Sequence, residues 1–96
     1  MRIARVVGSA VSTVKDATLV GHKLLLVRET DVENAVTGPV FVAVDAVGAG
    51  SGELVLVAEG SAARHSSTTD GRPVDAVIMG ILDSLEVDGH VTFRKS

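Results

Sequence analysis

Cysteine, tryptophan and tyrosine are absent from this chain, and phenylalanine occurs twice in 96 residues. Without cysteine there is no disulfide scaffold, thiolate nucleophile or iron–sulfur cluster, and no zinc site built on sulfur. Cysteine usage therefore leaves the redox compartment open. Two aromatics are too few to build the stacking platforms that single-stranded nucleic acid requires. Charge of one sign is scarce as well: 9 Lys+Arg stand against 12 Asp+Glu, a net charge of -3. A nucleic-acid groove concentrates Lys and Arg to displace counterions from phosphates, and an anionic membrane attracts the same residues. The charge balance argues against both partners. Long hydrophobic runs are also missing, since clean apolar stretches such as 24–27 and 40–44 fall far short of the roughly 20 residues a membrane span needs. Arg2 and Arg5 give the start the look of a signal peptide, but Gly8, Ser9, Ser12 and Thr13 interrupt its apolar part. It is read as a first strand retained in the mature protein.

What the chain has is apolar residues, 46% of the total, with a mean hydropathy of +0.38. A length of 96 residues and a mass of 9.9 kDa predict one domain, spanning 1–96. A domain this small buries only about 60–65% of the surface its unfolded chain exposes. Much of the apolar surface is therefore expected outside one copy's core, where oligomerisation covers it.

Most of the apolar residues are valines, set in short runs between Gly, Asp, Asn, Ser and Pro, the pattern of many short strands. Strands are predicted over 3–14, 24–29, 40–47, 54–58 and 76–82, with the third as the central one and Phe41 in the core. Residues 31–39 read as a polar excursion, because Asn34, Gly38 and Pro39 form turns and Val32 and Val36 are too far apart to define a strand. Gly60 ends the fourth strand, and residues 61–64 make at most one helical turn capped by Ser61. Residues 66–71 have no apolar anchor and read as a mobile loop. In the tail, Asp88-Gly89 between alternating apolar residues is a hairpin signal. Five main strands with Gly-rich connections and no helix-length pattern predict an all-β fold, a small five-stranded barrel related to the oligonucleotide-binding (OB) fold.

Several groups of residues could carry chemistry. Gly48-Ala49-Gly50-Ser51-Gly52 invites a phosphate-loop reading, but Glu53 stands where a dinucleotide fingerprint needs its third Gly, and a strand follows where a helix should start. A tight strand connection with positive φ angles is the better reading. His22, His65 and His90 have no second His at metal-ligand spacing. His65 with Ser66 or Ser67 could be drawn as a base and nucleophile for a hydrolase, yet it sits at the start of the loop expected to be mobile. Asp45, Arg64, Asp75 and Asp83 each interrupt or border an apolar run, where an unpaired buried charge costs several kcal/mol. Structural pairing of Arg64 with one of these carboxylates is expected, within a subunit or across an interface.

The residues also resemble a known family. The stretch Gly8-Ser9-Ala10-Val11-Ser12-Thr13-Val14-Lys15 is followed by Leu19-Val20-Gly21-His22-Lys23-Leu24-Leu25-Leu26-Val27, then by 42–57 with the glycine loop, by Gly60-Ser61-Ala62-Ala63-Arg64, and by 73–83. In that order, over nearly the whole chain, these blocks resemble the EutN/CcmL family of pentameric vertex proteins of bacterial microcompartments and carboxysomes. The resemblance implies an OB-related barrel that forms a homopentamer and caps the fivefold vertices of a shell in the cytoplasm. It also implies hexameric or trimeric shell proteins as partners, no catalytic residue, no metal and no cofactor. It places residues 48–52 at the rim of an axial channel, and Thr13 and Lys15 at an interface. The physical reading agrees: excess apolar surface becomes a head-to-tail interface, and glycines allow five backbones to crowd at an axis. The alternative from another class is a small OB-type module for single-stranded nucleic acid.

Overall fold

The computed structural model describes residues 1–11, 22–60 and 75–95. Among the described residues seven strands follow one another: β1 (Arg2–Ala10), β2 (Leu24–Thr30), β3 (Val36–Asp45), β4 (Leu54–Glu59), β5 (Ala76–Ile81), β6 (Ser84–Val87) and β7 (His90–Arg94). The first five close into a barrel in the order β1-β2-β3-β5-β4, and β6 and β7 form a separate hairpin. Every barrel pairing is antiparallel except β3 with β5, whose parallel seam consists of Val44 opposite Val77 and Asp45 opposite Ile78. Closure of the barrel therefore rests on a two-residue contact.

Alternation along each strand decides what goes inside, because successive side chains point to opposite faces. Ala4, Val6, Leu25, Val27, Ala43, Val55, Val57 and Ile78 point inward and form the main core, joined by Ala49. A second, outer cluster gathers Val44, Ala58 and Val77, with Leu24 and Ala46 packed against it. Burying each large aliphatic side chain contributes about 1.5–3 kcal/mol.

The sequence reading is corrected in the excursion at 31–39. β3 already begins at Val36, with Val36 opposite Thr30 and a register shift between Arg28 and Thr30. Pro39 cannot donate to a ladder, but it lies beside that irregularity, where Arg28 Nε supplies a hydrogen bond to the Gly38 carbonyl at 2.7 Å. A proline is tolerated in a strand at such a place. Only residues 31–35 make the turn, with Asn34 at φ 65° and Asp31 Oδ1 accepting the Glu33 and Ala35 N–H groups. β3 stops at Asp45 and β5 at Ile81, both short of the expected ends, while β1 runs to Ala10 with Val11 wholly exposed, and residues 12–14 of the expected first strand lie outside the described residues. Phe41 is half-buried at one end of the barrel rather than enclosed. The expected tail hairpin is present, with Asp88 at φ 50° and Gly89 at φ 80° forming its turn. Two consecutive positive φ values match the strand twist, and Asp-Gly adopts them readily. The expected helical turn at 61–64 and the loop at 66–71 lie outside the described residues.

Candidate functional site

The glycine loop between β3 and β4 is built by the carboxylate before it. Asp45 ends β3 with its side chain buried, and its Oδ1 accepts the N–H groups of Val47, Gly48 and Ala49 at 3.1, 3.1 and 3.2 Å. That folds the chain back sharply and presses Ala49 onto the barrel core, where it has no exposed surface. Lys23 ties down the same corner, donating from Nζ to the Ala49 carbonyl at 2.8 Å and facing Asp45 Oδ2 at 3.5 Å. The Lys23 side chain is 54% exposed, so the ion pair contributes little and the three N–H bonds dominate. Gly48 and Gly52 sit at φ 78° and 86°, the left-handed region that favours glycine. The expected positive φ angles are thus found at two positions of the loop.

The far side of the loop is clasped to the C-terminal segment. Glu53 Oε1 accepts the Gly50 N–H at 2.6 Å, and Glu53 Oε2 pairs with Lys95 Nζ at 2.9 Å. Lys95 is positioned by its own backbone, whose N–H donates to the Asp83 carbonyl at 2.8 Å. The hydrogen bond from Lys95 and that from the Gly50 N–H hold the Glu53 carboxyl below its ordinary value of 4.5, while Glu53 raises the Lys95 ammonium. A carboxyl depressed on folding contributes stability above its unfolded value, and that contribution is lost as pH falls through the lower folded value. The Gly50 amide shift, followed by NMR, is accordingly expected to titrate with a midpoint below pH 4.5 and to stay flat in Glu53→Gln. A midpoint at or above the ordinary value would contradict the clasp.

Arg5 joins three elements at one point. Its guanidinium donates to the Gly52 carbonyl at 2.9 Å and to Asn34 Oδ1 of the β2–β3 turn, and it lies 5.9 Å from the Phe93 ring centroid in β7. Thr92 Oγ1 donates to the Val32 carbonyl at 2.6 Å, fixing the hairpin to the same turn. A two-stranded hairpin is marginal alone, so these contacts hold β6 and β7 in place. At the opposite end of the barrel Arg2 lies 4.8 Å from the Phe41 ring centroid and bonds Glu29 and Glu59, which raise its guanidinium further. This arrangement lines a hollow of about 420 Å³ with Gly38, Pro39 and Ala76. A second hollow, of about 340 Å³, lies beside the glycine loop against Gly8, Ser9, Lys23 and Leu25.

The residues singled out in the sequence fare unevenly. Residues 48–52 form one continuous turn, and Asp45 is its buried anchor. Asp75 and Asp83 are exposed, so neither needs a partner to offset burial. Arg64, Thr13, Lys15 and His65 lie outside the described residues. Glu53, Lys95, Arg5 and Lys23 were missed; of these only Glu53, directly after the glycines, had a local signal. Among the described residues no cluster of His, Asp or Glu is placed to hold a metal ion, and no helix is long and apolar enough to cross a membrane.

The whole chain is similar to proteins of known role. The carboxysome shell vertex protein CcmL of Gloeobacter violaceus is 43% identical over 99% of this chain and 95% of its own. The solved structure of that protein superposes with a TM-score of 0.91, covering 99% of this chain and 98% of the other. The bacterial microcompartment shell vertex protein PduN of Salmonella typhimurium is 46% identical over 88% of this chain and 98% of its own. The GrpN pentameric microcompartment shell protein from Rhodospirillum rubrum has a TM-score of 0.82 at 41% identity, covering 91% of this chain and 99% of its own. The family described as ethanolamine utilisation protein EutN/carboxysome matches residues 1–83. With a closed barrel, a glycine loop and near full-length likeness all in agreement, this chain belongs to the EutN/CcmL family.

Proposed function

We propose that this chain is a structural, non-enzymatic shell protein whose homopentamers cap the fivefold vertices of a bacterial microcompartment. The observation that carries the proposal is the near full-length similarity, at 40–46% identity, to shell vertex proteins. The structure supplies a physical reason for assembly. Val40 and Val42 on the outside of β3 are 51% and 47% exposed, and leaving such residues in water forgoes stabilisation that burial against another copy provides. A ring closed by fivefold rotation uses one head-to-tail contact repeatedly and leaves no open end. Its shell neighbours are hexameric or trimeric shell proteins, and its place is in the shell. Sealing the vertices retains what the shell encloses.

The single-strand-binding alternative is disfavoured by the same structure. Both phenylalanines face an arginine, Phe41 beside Arg2 and Phe93 beside Arg5, so neither ring presents a free platform for a base. The relatives support the shell reading and not this alternative.

Residues 48–52 belong, in this reading, at the rim of the axial opening. Gly50 supports the placement, because it lacks the positive φ of Gly48 and Gly52 and a Cβ there would meet only Glu53 Oε1, at 3.5 Å. One copy alone would accept a side chain at this position, whereas five converging copies would not. Gly50→Leu is expected to leave the barrel's stability within about 0.5 kcal/mol while narrowing the opening or weakening the ring. Unchanged assembly together with an unchanged opening would remove the loop from the axis. The functional test is co-production of hexameric shell proteins with and without this chain, imaged by electron microscopy. Closed polyhedral shells only in its presence are expected, and closure independent of it would refute the vertex role.

A further inference from the structure

We infer that the C-terminal hairpin is a strap that couples the β2–β3 turn to the glycine loop, so that a change at one shifts the other. The barrel closes through β1 to β5 without the hairpin. The family match ends at residue 83 and β6 begins at Ser84, so the strap is an addition laid over a complete barrel.

Its attachments come from a short stretch. Thr92 Oγ1 donates to the Val32 carbonyl of the turn at 2.6 Å, and the Phe93 ring lies beside Arg5. Lys95 Nζ reaches Glu53 Oε2 at 2.9 Å, and the other oxygen of that carboxylate holds the Gly50 N–H. Among the described residues, the side-chain hydrogen bond and the ion pair from the tail to the barrel both leave from 92–95. A regular strand would point Thr92 and Phe93 to opposite sides. Thr92 is the extra residue where the β6–β7 register shifts, between the pairs Leu85–Phe93 and Glu86–Val91, and a bulge re-aims a side chain in this way. Both neighbours therefore reach the barrel. At 3.2–3.4 Å per residue, the turn-bound and loop-bound ends stand at most about 10 Å apart on one extended segment.

The strap is seated on the outer face. Leu54 points out of the barrel, because Val55 and Val57 point into the core, yet it is fully buried. It lines a hollow of about 290 Å³ with Phe93, Arg94 and Lys95. The Leu82 N–H donates to its carbonyl at 2.9 Å. Arg5 makes the same connection a second time, donating to the Gly52 carbonyl and to Asn34 Oδ1. The Lys95 and Glu53 side chains are 43% and 23% exposed, so solvent screens the loop end of the strap and the coupling is several-fold rather than orders of magnitude. In the pentamer reading, on which this consequence rests, the tail sets the position of the rim around the axial opening.

The test is amide–solvent exchange of the full chain, followed by NMR. Thr92→Val keeps the shape of the side chain, removes the hydroxyl that holds the turn, and leaves Arg5 and Glu53 in place. It is expected to quicken exchange of the Gly50 N–H about threefold or more, whereas Thr92→Ser, which retains the donor, is expected to leave it unchanged. Coupling is reciprocal, so Lys95→Ala is expected to quicken exchange of the Ala35 N–H, held in the turn by Asp31 Oδ1, by a comparable factor. Unchanged Gly50 exchange in Thr92→Val, or unchanged Ala35 exchange in Lys95→Ala, would overturn the coupling. Equal effects of the Val and Ser variants would overturn it too, since the hydroxyl would then not be the link. Should far-UV circular dichroism show Thr92→Val unfolded, Thr92→Ala removes the same hydroxyl. The strap acts within one chain, so a native mass other than five chains would refute the pentamer reading and leave this test standing.

Discussion

Asp45→Ala is expected to lower the melting temperature by about 10–20 °C, corresponding to about 3 kcal/mol. The substitution removes the acceptor for three consecutive backbone N–H groups, those of Val47, Gly48 and Ala49. The Ala49 N–H is buried, and leaving a buried donor without an acceptor is the larger part of the loss. Asp45→Asn keeps an acceptor oxygen but no charge, and is expected to cost about half as much. The melting temperature measured by calorimetry at one fixed protein concentration checks both values, since assembly makes it concentration-dependent. A change of less than about 3 °C in Asp45→Ala would mean that water satisfies the loop as well as the carboxylate does.

Ile78→Ala is expected to be at least as damaging, at about 4 kcal/mol. Ile78 is among the largest fully buried side chains, and it stands opposite Asp45 at the two-residue seam between β3 and β5. Truncation there leaves a cavity where the barrel has the fewest hydrogen bonds to hold its wall together. Against the 5–15 kcal/mol typical of a domain, this brings the chain close to unfolding. Because Asp45 and Ile78 face each other, Asp45→Asn combined with Ile78→Val is expected to depart from additivity by about 0.5 kcal/mol or more. Denaturant titration of the two single variants and the double measures that coupling, and strict additivity would show that the loop and the seam act independently.

Much of the barrel was legible because its strands are dense runs of valine and leucine bounded by glycine and aspartate, signals that act within a few residues. The Asp88-Gly89 hairpin is the clearest case, since the turn chemistry and the flanking alternation sit side by side. The start of β3 was not legible, because Gly38 and Pro39 punctuate the local pattern while pairing with β2 overrides it. The clasp on the glycine loop was invisible for a related reason. Arg5 reaches Gly52 across 47 residues of sequence, and Lys95 reaches Glu53 only because the tail hairpin folds back onto the barrel. Asp45 was recognised as a charge that must be satisfied, but a satisfier from its own following loop is a turn property, and the distant Arg64 was expected instead. The exposed valines of β3 were implied by composition alone, as apolar surface in excess of what one small core can bury. Placing them on one wall required the register.

Assembly is the claim on which the rest depends, and native mass tests it most directly. Light scattering with refractive-index detection suits a chain with neither Trp nor Tyr, because absorbance near 280 nm is almost nil. Five copies of a 9.9 kDa chain in one stable species are expected. A stable monomer of 9.9 kDa under the same conditions would contradict the vertex account.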